Sequence, residues 1–259
     1  GPAYLTVWAV ATFAVNRWFQ AGAFVATGDM GPFIRRGWTP GVGWSWTHAI
    51  TGGGSAGYVM ARWYEFGLVK VVHTLGGTDT LAQRAMYMTI YPMVALAVAA
   101  AAAAITRNRL AIAAAGSFAV LNGFFLTRLP NPLNVISVGS VALVSAVAFR
   151  VAQGRPMRAP MLGLAMLFMS FLSYNPPMLT VAFAWTGLGL PLLVLMVWGR
   201  TALWRVLRYA VTAAPWAIAI NLFWLVPFAQ AFTGGGGASA TAQTDPTAWA
   251  WSQAQNNVP

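Results

Sequence analysis

The stretch QRAMYMTIYPMVALAVAAAAAAI, residues 83–105, decides the fold. It carries one charged side chain, Arg84, and ends in the alanine run 99–104. As a helix it is about 35 Å long, enough to cross the roughly 30 Å hydrocarbon core of a bilayer. Outward from it lie six more apolar runs, at 3–24, 110–127, 133–151, 159–174, 178–198 and 209–231. Two pairs read as hairpins, one around Leu129-Pro130-Asn131-Pro132 and the other around Asn175-Pro176-Pro177. Asn-Pro is good turn chemistry at a membrane surface, and the 44-residue spacing of the two turns also reads as a weak repeat. Composition points the same way. Of 259 residues, 58% are hydrophobic and only 7% charged, against about 25% charged in soluble domains. Mean hydropathy is +0.63. A soluble fold cannot cover its surface with so few charges, and a disordered chain cannot be so apolar. The expectation is an all-α, polytopic membrane helical bundle of about seven spans.

The net charge of +11 comes from scattered single Arg residues rather than a basic stripe, which excludes nucleic acid as a partner and points to membrane lipids. The absence of Cys removes disulfides and thiolate metal sites. Eight Arg fall in three short connections: Arg107 and Arg109; Arg150, Arg155 and Arg158; Arg200, Arg205 and Arg208. By the positive-inside rule these face the cytoplasm. Residues 25–80, the two Asn-Pro turns and 232–259 then face outward, at the plasma membrane. Residues 1–231 read as the transmembrane module and 232–259 as the start of an outer-face loop or domain. The opening Gly1-Pro2-Ala3 and the close in a polar stretch are expected of an internal piece of a longer chain.

Residues 25–80 form a first outer loop too long for a mere connection, and loops of that length are usually functional. It opens Gly28-Asp29-Met30-Gly31-Pro32-Phe33 and runs through Arg35, Arg36, Trp38, Trp44, Trp46 and His48 to Gly52-Gly53-Gly54. The stretch 57–74 reads as an amphipathic helix lying in the interface plane, apolar side down. Only four residues are acidic. Asp79 reads as a cap or first-turn residue of the next span, and Asp245 as a turn residue. Glu65, three residues after Arg62, reads as a surface ion pair. Asp29 stands at the membrane boundary with no helix start to cap, which makes it a functional candidate, the alternative being a turn aspartate or a partner for Arg35 or Arg36. A lone carboxylate there can act as general base. Arg128, Arg62, Arg35 and Arg36 could hold a phosphate; for Arg128 the alternative is snorkelling to the interface. His48 and Trp46 read either as substrate contacts or as an ordinary hydrogen-bonding His and an interfacial anchor.

This layout resembles the GT-C superfamily of membrane glycosyltransferases. The resemblance lies in an outward-going first span, the loop motif around Asp29, the helix after it and paired spans with short outer turns. The stretches 121–134 and 245–251, and the use of Arg for 14 of the 15 basic residues, look most like actinobacterial arabinofuranosyltransferases of the D type. The resemblance implies that Asp29 is the catalytic base and that the donor is a polyprenyl-phosphate sugar, with a cell-envelope glycan as acceptor. The family's role carries over to Asp29 alone; Arg128, Arg62, Arg35, Arg36, His48, Glu65 and Trp46 are the candidate substrate contacts beside it. No cofactor is called for by the residues. A divalent cation is the one the resemblance leaves open, and the second acidic residue that some superfamily members carry beside the aspartate is missing here. The competing expectation is a lipid or glycan transporter or flippase, which would need ionisable groups at mid-membrane depth.

Overall fold

The computed structural model describes residues 1–18, 46–47, 54–55, 63–123, 132–174 and 176–233. They are helical throughout apart from short connections and one two-residue antiparallel ladder, β1 (Trp46–Thr47) on β2 (Gly54–Ser55), with Trp46 opposite Ser55. The helices are α1 (Pro2–Trp18), α2 (Trp63–Thr74), α3 (Asp79–Ile105), α4 (Arg109–Leu121), α5 (Pro132–Ala152), α6 (Pro160–Met166), α7 (Pro176–Ala184) and α8 (Leu190–Thr233). A 3-10 segment, Leu167–Tyr174, extends α6, and a π turn, Trp185–Gly189, joins α7 to α8.

Three stretches among the described residues are long and apolar enough to cross a membrane: Asp79–Ile105, Asn134–Ala152 and Leu179–Val226. The last contains two expected spans. The connection expected at 199–208 is a single non-helical residue, Gly199, at φ 78°. Only glycine adopts that conformation without cost, so the chain bends once and resumes as helix at Arg200. Arg200, Arg205 and Arg208 therefore sit on a helix rather than in a loop. The second arm, 200–233, is about 50 Å long, longer than the hydrocarbon core, so its basic first turns can project beyond it.

Local chemistry sets the ends of the central helices. Thr78 caps α3, its hydroxyl accepting from Leu81 N at 3.2 Å, and Asp79 adds a carboxylate to the positive helix start. Asn108 caps α4 by accepting from the Leu110 and Ala111 amides. Helix α2 ends in a Schellman turn, with Gly77 N–H donating to Val72 O and Gly76 N–H to His73 O. Gly76 takes φ 84°, and a Cβ on Gly77 would lie 2.9 Å from Val72 O, so this turn demands the glycine pair.

Helix α3 is the hub, packing against α1, α2, α4 and α5. One core cluster joins α1, α2, α3, α4 and the start of α5 around Val7, Tyr87, Ile90, Tyr91 and Val135. A second joins the rest of α5 with α6, α7 and α8 around Val147, Met169, Leu190 and Trp224. Within this second half Asn221 of α8 donates to Gly163 O of α6 at 3.0 Å and accepts from Trp224 Nε1 at 2.8 Å. Side chains that bond across helices in this way replace the solvation that lipid cannot give.

The helix expected to lie flat in the interface does something different. His73 at the C-terminal end of α2 stands 3.1 Å from the Asp79 carboxylate, at the start of α3. Tyr64 at the other end reaches Met93 Sδ at 3.7 Å, fourteen residues further along α3. Helix α2 thus runs antiparallel along the first half of α3 as one arm of a helical hairpin. Its buried face is Glu65, Phe66, Val69 and His73, not a purely apolar one.

Candidate functional site

Most of the residues singled out from the sequence lie outside the described residues: Asp29, Arg35, Arg36, His48, Arg62 and Arg128, together with Trp38, Trp44, Asp245 and Asn175. The backbone of Trp46 is described, in β1. Glu65 is described fully and is completely buried. A surface ion pair is therefore not its role; it lies inside the packing of α2 on α3.

Two polar rows meet there. On α2, Glu65, Val69 and His73 recur every four residues and so share one face. On α3, Asp79, Gln83, Tyr87 and Tyr91 recur with the same spacing. The rows face each other antiparallel, His73 against Asp79 and Glu65 within electrostatic reach of Tyr87. Glu65, Gln83, Tyr87 and Tyr91 are all at 0% exposure. The His73 Nε2 to Asp79 contact has the length of an ion pair but not the alignment of a hydrogen bond, and Nδ1 has no hydrogen-bond partner among the described residues. Tyr87 and Tyr91 stack at 5.8 Å. Sequence reasoning does not single out His73, Gln83 or Tyr87 as functional. Their signal is the period-four spacing on two separate helices, visible only once those helices are known to pair.

An aromatic wall adjoins this seam. Trp63 stacks on Phe168 at 5.5 Å and meets Phe223 edge-on at 6.0 Å, so α2 touches both the α6 extension and α8. Its Nε1–H is buried with no hydrogen-bond partner among the described residues. On the other side, Trp18 at the end of α1 packs edge-on against Tyr91 at 5.0 Å, and Asn16 accepts from the Arg84 guanidinium. The chain thus leaves α1 beside Tyr91 and returns at Tyr64 beside Met93, within one turn of the same helix. The 44 residues 19–62 are anchored at both ends on α3.

Among the described residues the carboxylates, Glu65 and Asp79, lie only in the α2–α3 turn half of the bundle, while basic residues occur in both halves. At the opposite end, Gln153 donates to Ala104 O, Arg205 Nη2 to Ala152 O at 2.6 Å, and Tyr209 OH to Arg158 O at 3.0 Å. These bonds draw together the connections that carry the eight Arg. Among the described residues no three His, Asp or Glu side chains converge as a metal site. The chain matches no protein-family model, no curated protein and no solved structure.

Proposed function

We propose that this chain is the membrane module of a GT-C-type glycosyltransferase that moves a sugar from a polyprenyl-phosphate donor to a cell-envelope glycan at the outer face of the plasma membrane. Arabinofuranose is the sugar that the sequence resemblance favours. In this reading the seven spans are α1 with the residues after it, α3, α4 with the residues after it, α5, α6 with its 3-10 extension, α7 through residue 198, and 200–233.

The observation that carries the reading is the anchoring of residues 19–62. That segment contains Asp29, Arg35, Arg36, Trp46, His48 and Arg62, and the described residues on either side of it, Trp18 and Tyr64, pack within one turn of each other midway along α3. A long polar loop closed on a rigid scaffold is where binding and catalytic groups usually sit. Asp29 takes the proton from an acceptor hydroxyl. The acceptor oxygen bonds to the anomeric carbon as the bond from that carbon to the phosphate oxygen breaks, and polyprenyl phosphate departs with the electron pair. Arg128 and Arg62 stabilise the charge on the departing phosphate, with Arg35, Arg36, His48 and Trp46 as further contacts to sugar or phosphate. The test is Asp29→Asn in the full-length protein, assayed for transfer from a polyprenyl-phosphate sugar. Transfer is expected to fall at least about a hundredfold, in line with the loss of a general base; unchanged transfer removes the assignment.

A second reading, a lipid or glycan transporter or flippase, draws on Glu65. It is an ionisable group buried opposite Tyr87, about 12 Å along α3 from Asp79, and buried membrane carboxylates often mark transport paths. Against it, two cavities among the described residues, one between α5, α6, α7 and α8 and the other along α1, are lined mainly by apolar side chains.

A further inference from the structure

The basic end of the bundle has a feature that the transferase reading does not use. A cleft of about 190 Å³ opens between α5, α6, α7 and α8, lined by Val147, Met169, Phe183, Val206, Tyr209 and Ala210. Apolar cavities of roughly 150 Å³ stay dry and take up apolar molecules, so this one suits a segment of hydrocarbon chain. The π turn Trp185–Gly189 forms part of its wall through Thr186, and turns of this kind recur at functional sites.

Two arginines stand near one end of the cleft. Tyr209 at its inner end bonds to the Arg158 carbonyl. Arg205, one turn before Tyr209, is fixed by its bond to Ala152 O, which spends one of its five N–H donors. Arg158 and Arg205 are both exposed. The chain supplies no counter-charge: residues 80–244 contain no Asp or Glu. Basic pockets between membrane helices with an apolar slot beneath them fit an anionic lipid.

We propose that this cleft is a specific site for one anionic glycerophospholipid of the surrounding bilayer, its phosphate on Arg158 and Arg205 and one acyl chain along Val206 and Tyr209 toward Met169. The site is independent of the transferase reading, being at the other end of the bundle and needing no sugar donor. The test uses the purified full-length protein in detergent, with phosphatidylglycerol and phosphatidylcholine as probes and native mass spectrometry and thermal unfolding as readouts. Wild type is expected to retain one phosphatidylglycerol and to be stabilised by it more than by phosphatidylcholine. The double variant Arg158→Gln, Arg205→Gln is expected to weaken phosphatidylglycerol binding about thirtyfold, from roughly one charge interaction per arginine. Ala210→Leu, which fills the cleft without touching charge, is expected to lose the retained lipid. Arg107→Gln with Arg109→Gln, which removes the same charge at the α3–α4 connection, is expected to bind as wild type. Equal response to the two lipids, retention by Ala210→Leu, or equal losses in the two arginine pairs each overturns the site.

Discussion

Gly116 of α4 offers the sharpest test of how the first half of the bundle is held together. A methyl added there would stand 2.7 and 2.8 Å from the two Val7 methyls of α1 and 2.9 Å from Ala95 O of α3. Unstrained carbon contacts need about 3.5–4.0 Å. None of the three neighbours can yield cheaply. Val7 is completely buried and its β-branched side chain is stiff at χ1, and Ala95 O is backbone. Helix α4 must therefore retreat by most of an ångström from two helices at once. Overpacking of this kind costs about 1–3 kcal/mol, while Gly→Ala inside a helix gains about 0.5–1 kcal/mol. Gly116→Ala is expected to destabilise by about 1–2 kcal/mol net. A methyl added to Gly67 of α2 would meet nothing within 4 Å, so the same substitution there is expected to stabilise by the propensity gain alone. Detergent-solubilised protein titrated with sodium dodecyl sulfate and followed by helical circular dichroism gives both midpoints. Opposite shifts support close approach through small residues as the basis of the α1–α3–α4 contact. A Gly116→Ala protein as stable as wild type refutes it.

Two further predictions concern the α2 seam. Trp63→Phe keeps an aromatic ring against Phe168 and deletes an N–H that lacks a partner among the described residues, so stability is expected to stay within about 1 kcal/mol of wild type. Trp63→Ala, which empties the wall, is expected to cost about 3–5 kcal/mol in the same titration; equal losses in the two variants would show that the indole N–H is bonded. Glu65→Gln tests the two functional readings against each other. A transferase with its base at Asp29 is expected to keep its transfer rate nearly unchanged while the seam loses about 1–3 kcal/mol of stability. Loss of lipid movement across vesicles, with transfer absent in wild type as well, would favour the transporter.

The long spans are plain in the sequence because apolarity over about twenty residues has few other meanings. Two places mislead for definite reasons. Three Arg between 200 and 208 look like a loop, yet Arg is a good helix former and a helix can run beyond the lipid. The break reduces to the backbone of Gly199. The apolar residues of 57–74 fall on every side, so a helix drawn from them alone lies flat on a membrane. What fixes its pose is the match of Glu65 and His73 to Tyr87 and Asp79 on another helix, and no window on one helix contains that information. The candidate site is legible only as residue types in a loop.

The polar seam also explains why α2 returns to the bundle at all. A carboxylate such as Glu65 facing lipid would be costly, so α2 is stable at this depth only with that face against α3. The opposite edge of the same helix holds Trp63 against Phe168 and Phe223, which lie on the α6 extension and α8. Helix α2 therefore cannot shift along α3 without either exposing Glu65 or unstacking Trp63, and it fixes the far end of the 19–62 segment against both cores. The near end is fixed by Trp18 on Tyr91 and Asn16 on Arg84. Closing a segment of that length costs chain entropy that grows only slowly with its size, so the contacts that hold Trp18 and Trp63 in place carry a modest entropic load.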